Sequence, residues 1–302
     1  MQAFFVQPAI MKRKHSWRAL FGASLVTALV LAGAVRAEAA EEKLPDTFIR
    51  AEAAEEKLPD TFGLRLGGYN VRNANTIARL DANGAPVGAY IDFHETLGGE
   101  SNATVVRLDG LYRFNARHGV GFSWYDMKFK GSRAVARDIE WGGQTYPVGA
   151  QVDSSLRFDV YKLNYQYSLF HNEEVELGVS LGLHVMRIST GISGTSTTAT
   201  NQSQSQSVTA PLPVWGLFAD YKFTPRFSAF YNYQVFNISY ENKVSGGLQD
   251  FLLGFEYRLF RHFALGAAYN RFAMHMKVKQ EAVTLYLDSS WNGGMLYGAA
   301  YF

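Results

Sequence analysis

The strongest constraint on the fold is an alternation of apolar and polar residues that begins at Gly63 and continues to the end of the chain. In residues 175–186, valine and leucine alternate with glutamate, glycine, serine and histidine, and similar runs occupy residues 161–169 and 251–259. Successive side chains of a β-strand point to opposite faces. These runs therefore predict strands with one apolar, aromatic face and one face of polar and small residues.

The chain beyond its N-terminal region contains no apolar stretch of the ~18 residues that a transmembrane helix needs. Only helices and closed barrels satisfy every backbone polar group in lipid. If the strands lie in a membrane, they must therefore close into a barrel. A half-buried soluble sheet would show the same alternation, so the turns are needed to choose between the two classes.

The predicted turns are of two kinds. Short turns at residues 115–118, 170–173, 224–226 and 260–262 each follow a Tyr-x-Phe or Tyr-x-Leu strand end, whereas residues 73–86, 131–154, 189–210 and 241–247 form long polar segments. Outer-membrane barrels have short periplasmic turns, long extracellular loops and aromatic girdles. The pattern predicts an all-β fold, a closed antiparallel transmembrane β-barrel in the cell outer membrane.

The number of strands follows from alternating ascents and descents between these turns. Ten strands place both termini in the periplasm, as an even-stranded bacterial barrel requires. Residues 87–93 are interpreted as the return arm of a hairpin about Asn83-Gly84, a strong turn dipeptide. If that arm were a full strand, a further crossing would be hidden and the barrel would have twelve strands.

The N-terminal region predicts an exported protein. Residues 11–14 are basic apart from Met11, residues 19–33 are apolar, and small residues precede two candidate cleavage sites at Ala37 and Ala39. This is the three-part pattern of a secretory signal peptide. We expect a signal peptide over residues 1–39, with Met11 as the translation start, and the barrel over residues 63–302.

Residues 40–62 are predicted to be an acidic periplasmic linker. The twelve residues 37–48, AEAAEEKLPDTF, recur at 51–62. Solenoid repeats are longer and need several copies, so two copies of a charged segment do not make a fold. The simplest interpretation is a duplication in a solvated tail, and the alternative is a docking segment for a periplasmic partner.

The segment IDFHETLG at residues 91–98, followed by RLDGLYRF at residues 107–114, resembles the sequences of a broad group of proteobacterial outer-membrane β-barrel proteins. The resemblance covers roughly residues 62–302 and implies the same location without a defined activity. The terminal Tyr301-Phe302 is similar to the C-terminal signal read by the outer-membrane assembly machinery. The usual signal has an aromatic residue two positions before the final Phe, and here that position is Ala300.

Strand parity predicts which charged side chains face the lumen. They are Arg107, Asp109, Arg113, Lys162, His184, Asp220, Lys222, Asp250, Glu256 and Arg258. Charges of both signs are present in similar number, whereas a selective pore tends to carry a ring of one sign. Barrels of about eight strands are just wide enough for side chains to fill them. We therefore expect a lumen largely filled by paired polar residues, with a structural or surface-binding role.

Two alternatives remain open at the level of sequence. One is a small porin-like channel for ions or solutes. The other is an enzyme that modifies outer-leaflet lipids, because a last hairpin near residues 280–282 would bring His275 opposite Leu287, beside Asp288 and Ser290. Ordinary polarity of the extracellular rim explains the same residues without catalysis, so the sequence does not indicate an enzyme.

The net charge and the residue composition restrict the classes of partner that we expect. The net charge of +2 gives no case for nucleic acid. Cysteine is absent and the seven histidines have no metal-ligand spacing, so neither a metal nor a cofactor is expected. The expected partners are outer-membrane lipid, lipopolysaccharide and the assembly machinery. Residues 189–210, rich in Ser, Thr, Gln and Asn, are expected to form a flexible loop, with an extracellular ligand as the functional alternative.

Overall fold

The structure is a computed structural model that describes residues 60–82, 91–141, 144–194, 202–240, 244–279 and 283–302. The predicted signal peptide, most of the predicted linker and the turns at residues 83–84 and 280–282 lie outside these ranges. The described residues contain no helix that is long and apolar enough to cross a membrane.

The described residues form thirteen strands. In chain order they are β1 (Phe62–Ala82), β2 (Ile91–Asp92), β3 (Ala103–Arg113), β4 (His118–Ala134), β5 (Ile139–Trp141), β6 (Gln144–Tyr146), β7 (Gln151–His171), β8 (Val175–Gly194), β9 (Gln202–Lys222), β10 (Phe227–Tyr240), β11 (Val244–Phe260), β12 (Phe263–Lys279) and β13 (Val283–Tyr301). Ten of them, all except β2, β5 and β6, form the wall of a barrel.

The barrel closes by antiparallel pairing of β1 with β13, from Gly63 opposite Tyr301 to Ala82 opposite Val283. Two backbone hydrogen bonds between Phe62 and Phe302, at 2.9 and 2.8 Å, fasten the two ends. Every other pair of neighbouring wall strands is also antiparallel. The predicted closed antiparallel barrel of ten strands is therefore confirmed.

The region that raised the alternative of twelve strands forms only the two-residue strand β2. Ile91 and Asp92 pair with Ala78 and Ile77 at the outer end of β1. From there the chain bends through Gly98, whose φ of 65° lies in the left-handed region that favours glycine, before β3 begins. Thus residues 91–92 return along β1 without crossing the membrane again.

The strands are strongly tilted, because the register shifts steadily around the barrel. We start at Gly67 and move from each residue to its partner on the next strand. Through β3, β4, β7 and β8 this leads to Ala210 of β9. In the other direction, through β13, β12, β11 and β10, it reaches Lys222 of the same strand, twelve residues further on. A shear of this size goes with the tilt of about 35–45° that is usual for barrels of this kind.

The strands are longer than the sequence predicted. Eight of the ten wall strands have 17 or more residues, for example the 21 residues of β7, whereas about 9–11 residues suffice to cross a membrane. β8 and β9 stay paired as far as Gly194 opposite Gln202. The expectation that residues 73–86, 131–154, 189–210 and 241–247 are loops throughout is therefore wrong for large parts of each segment.

The reason for this error is visible in β8. Its outer part carries polar residues on one face, but Ile188 and Ile192 on the other face are each only 3% exposed. These inward residues pack on an apolar core that continues above the membrane. The high polar content of this segment predicted a loop, although its buried inward residues alternate with outward ones as in a strand.

Part-way along β7, the apolar side chains change from the outward face to the inward face. In β7, Tyr161, Leu163 and Tyr165 face lipid and are 52, 57 and 42% exposed, while Lys162 and Asn164 between them are buried inside. Nearer the loop end of the same strand, Leu156, Phe158 and Val160 are the buried residues, and Arg157 and Asp159 point outward. β7 therefore has a membrane part whose inward residues are polar and an outer part whose inward residues are apolar.

Candidate functional site: the barrel interior and its outer rim

An ion pair between Lys162 of β7 and Asp250 of β11 crosses the interior of the membrane part. Asp250 also accepts a hydrogen bond from Asn270 Nδ2 at 2.8 Å, and Tyr69 Oη donates to Asn270 Oδ1 at 2.9 Å. Nearby, Arg107 and Asp109 of β3 are paired at 2.9 Å. Charges buried in this way are tolerated because they are paired and hydrogen-bonded.

Two carboxylates organise the interior nearer the short turns. Glu256 accepts hydrogen bonds from Arg65 Nε at 2.5 Å and from Tyr297 Oη at 2.9 Å, and Tyr301 also donates to it. Glu176 is held by both terminal nitrogens of Arg113, at 2.7 and 2.6 Å, and by Ser168. Such bidentate pairs are among the stronger charge-assisted hydrogen bonds.

A chain of hydrogen-bonded side chains lies beside the Lys162–Asp250 pair, since His184 is paired with Lys162 and Gln234 with Asp250 on neighbouring strands. His184 Nε2 lies 2.9 Å from Gln234 Oε1, and Gln234 Nε2 donates to Asn164 Oδ1 at 2.7 Å. All three residues are buried. His184 is thus part of the hydrogen-bonded filling of the barrel.

The structure places the ten predicted lumen residues at different depths. Arg107, Asp109, Arg113, Lys162, His184, Asp250 and Glu256 lie in the paired interior described above, and Asp220 lines a small cavity. Lys222 is exposed at the end of β9, and Arg258 pairs with Asp60 at 2.6 Å, with both side chains about one third exposed. These last two residues belong to the periplasmic rim rather than to the lumen.

The cavity in the membrane part has a volume of about 120 Å³. Its lining includes Arg65, Arg107, Asp109, Lys162 and Asp220. This volume is large enough to hold several waters. Apolar side chains such as Phe218, Phe230 and Met295 complete the lining, so the cavity is a small space with both charged and apolar walls inside the barrel.

Above these polar residues lies an apolar layer. The rings of Trp291 and Phe272 stack with centroids 4.1 Å apart, and Phe158 contacts Trp291 at 5.3 Å. All three side chains are at most 2% exposed, and Met127, Phe129, Met186 and Leu248 are buried in the same core. This layer was not predicted from the sequence, because one polarity was expected for the whole interior. The inward residues of β7 carried the signal, since they change from Lys162 to Val160 and Phe158.

The connection between β4 and β7 folds over this layer. Val135, Ile139 and Tyr146 are buried in the apolar core, and Val135 N donates to Ala150 O at 3.0 Å. Tyr146 Oη lies 3.5 Å from Ile192 O, and burial raises the pKa of Tyr146. The hairpin of β5 and β6 therefore caps the extracellular mouth, where the sequence predicted an open polar loop.

The three candidate catalytic residues lie together on the outer wall near the extracellular end. His275 pairs with Asp288, one position from the predicted Leu287, and Ser290 pairs with Ala273 on the same two strands. Their side chains alternate with the buried Met274, Leu287, Ser289 and Trp291, so they face away from the lumen. This placement gives them no enclosed pocket in which water could be excluded from a reaction.

Tyr301 and Phe302 have different environments at the end of the chain. Tyr301 points inward to Glu256, whereas Phe302 is 65% exposed and stacks on His262 with centroids 5.7 Å apart. Phe302 joins an exterior band of aromatic residues at the short-turn end. Its other members include Tyr112, Phe114, Phe223, Phe255, Tyr257 and Phe260. This band is the periplasmic girdle that the Tyr-x-Phe and Tyr-x-Leu strand ends predicted.

No protein-family model and no curated protein matches the chain. Among solved structures, it is similar to the outer membrane protease OmpT from Escherichia coli, with a TM-score of 0.52 and 11% identity over 80% of this chain and 97% of that one. Ail, the attachment invasion locus protein of Yersinia pestis, matches with a TM-score of 0.27 and 14% identity over 81% and 99% of the two chains. OprG from Pseudomonas aeruginosa matches with a TM-score of 0.31 and 15% identity over 82% and 97%.

The likeness to OmpT is one of fold. Together with the lipid-facing apolar wall and the paired charges inside it, this fold makes the chain an outer-membrane β-barrel. In the part above the membrane the interior is apolar and the outer face is polar, as in a soluble protein.

Proposed function

We propose that the protein is a structural or surface-binding barrel of the outer membrane whose lumen is closed to solutes. The observation that carries this proposal is the aromatic layer of Phe158, Trp291 and Phe272 across the interior. Water does not enter a closely packed apolar layer of this kind. A continuous aqueous path, which a porin-like channel requires, is therefore interrupted above the polar part.

The polar part itself also supports a closed lumen. Lys162 with Asp250, Arg107 with Asp109 and Arg65 with Glu256 neutralise one another across or along the wall. An ion in transit would have to separate such pairs, and breaking a buried pair costs about 3–5 kcal/mol. Mixed and paired charges thus fill the space and do not form a selective ring.

The outer part of the barrel supports a role at the surface. It has a packed apolar core, covered by the β5–β6 hairpin, and polar strands on its outside. A rigid scaffold that raises strand ends above the membrane is a suitable platform for binding. The paired parts of residues 189–210 are included in this platform as ordered strands.

Solute uptake into liposomes tests the proposal. Protein reconstituted into liposomes should give no more swelling in a small sugar than protein-free liposomes, because the aromatic layer blocks the lumen. A porin of sixteen strands, reconstituted in parallel, provides the positive control. Swelling that scales with the amount of folded protein would contradict a closed lumen.

A further inference from the structure

We propose that the outer wall of β4, β7 and β8 binds a phosphorylated glycolipid of the surrounding leaflet, of the lipopolysaccharide class. The inference does not depend on a closed lumen, since it concerns the opposite face of the wall. Three tiers of side chains, stacked from the membrane outward, match the acyl chains, the phosphates and the sugars of such a lipid.

The lowest tier is aromatic and faces the hydrocarbon. Trp124 of β4 lies directly opposite Tyr161 of β7, and the two side chains are 36 and 52% exposed. Tryptophan and tyrosine are favoured at the boundary between hydrocarbon and water. This tier therefore marks the level at which acyl chains end and headgroups begin.

The middle tier is basic. Lys128 lies directly opposite Arg157, and Lys130 is the next outward residue on the same side of β4. Arg187 of β8 lies opposite Asp159, which is the next outward-facing residue of β7 on the membrane side of Arg157. Lys128 and Lys130 form no ion pair with another described residue, whereas Arg157 does. The phosphates of a lipid at this level would supply the counter-charge of the two lysines.

Two acidic residues hold the arginine of this tier in position. Asp126 accepts from Arg157 Nε at 2.9 Å and from Nη2 at 2.8 Å, and Asp159 lies 3.0 Å from the same Nη2. These carboxylates lie on the membrane side of Lys128 and Lys130. The two lysine side chains are exposed further outward, where they can reach an anionic headgroup.

The highest tier is a groove of about 540 Å³ on the outer wall. Lys128 and Lys130 line it, together with Glu100, Asp153, small glycines and the hydroxyl groups of Ser132, Ser155, Ser193 and Ser203. Hydroxyl groups can both donate and accept hydrogen bonds, as the hydroxyl groups of a sugar require. Its volume is within the usual range of ligand sites. The groove therefore suits the sugar part of the same molecule.

The test compares lipopolysaccharide binding by wild-type protein and by the K128Q/K130Q variant. Both are purified from membranes in detergent, shown to be folded by heat-dependent gel mobility, and titrated with fluorescently labelled lipopolysaccharide. Each basic residue near an anionic lipid surface contributes roughly fivefold to binding, so the double variant should bind roughly 25-fold more weakly. K277Q, on the outward face of β12 beside Tyr286, is the matched control and should bind like wild type.

Two further probes identify the source of the anion. Dephosphorylated lipopolysaccharide should bind wild-type protein as weakly as intact lipopolysaccharide binds K128Q/K130Q. Inorganic phosphate at millimolar concentration should not displace the lipid. Equal binding by wild type and K128Q/K130Q, equal binding of the dephosphorylated lipid, or displacement by inorganic phosphate would each overturn the inference. If K128Q/K130Q does not fold, the single variant R187Q carries the same comparison, with an expected loss of roughly fivefold.

Discussion

Lys162 and Asp250, on strands β7 and β11, form an ion pair across the inside of the barrel, and both side chains are at most 6% exposed. The two residues are 88 positions apart in the chain. The pair therefore ties together two strands that are not neighbours in the sheet. It forms part of the polar filling of the membrane part.

Removing one partner of this pair should be more damaging than removing both. In K162M, Asp250 keeps its buried charge without a cation, and we expect a loss of about 3–5 kcal/mol in the free energy of unfolding. In K162M/D250N both charges are gone, so most of that loss should be recovered. Urea unfolding in lipid vesicles measures both values. A double variant no more stable than K162M would show that the pair does not act as described.

The aromatic layer should contribute strongly to stability. W291A removes a side chain that is 2% exposed and stacked on Phe272, so we expect a loss of about 3–5 kcal/mol. L296A on the same strand is the control, because Leu296 is 73% exposed on the lipid face. Its truncation opens no internal cavity. Equal losses in the two variants would contradict a packed interior at Trp291.

Two adjacent glycines of β1 should respond differently to the same substitution. A Cβ atom on Gly67 would lie 2.1 Å from the backbone oxygen of Leu296, whereas a Cβ atom on Gly68 would have nothing within 4 Å. G67A should therefore impair the closure of β1 on β13, and G68A should fold like wild type. The folded fraction on unheated gels measures the difference. Normal folding of G67A would argue against this close approach of β1 and β13.

The paired outer parts of β8 and β9 can be tested with cysteines, because the natural chain contains none. Ser193 lies directly opposite Ser203, and directly paired strand residues are close enough for a disulfide. S193C/S203C should form an intramolecular disulfide on mild oxidation, seen by a mobility shift that a reductant reverses. S193C/S207C, which is out of register, is the control. Equal cross-linking of both variants would favour the flexible loop that the composition predicted.

The sequence predicted most of the wall because the parity of its residues is simple. Tyr161, Leu163 and Lys162 alternate as lipid-facing and inward residues must, and the short turns set the number of strands. The close placement of His275 and Asp288 also followed from counting back from the last turn. These are local relationships that a single strand or hairpin determines.

The rest depended on contacts between distant strands. Phe158, Phe272 and Trp291 come from three strands, and no local pattern indicates that their rings stack inside the barrel. The change of polarity along β7 is visible in its sequence, but its meaning depends on where the membrane ends. The lengths of the outer strands were hidden for the same reason, since polar residues above the membrane were interpreted as loops.

The conductance of planar bilayers tests the closed lumen most directly. Folded wild-type protein should give no channel steps above the baseline of the bilayer, whereas a sixteen-stranded porin inserted in parallel should give discrete steps. Heat-dependent gel mobility before insertion shows that the sample is folded. Silence from the folded wild-type protein is the result that the account predicts, and discrete and reproducible channel steps from it would contradict the account.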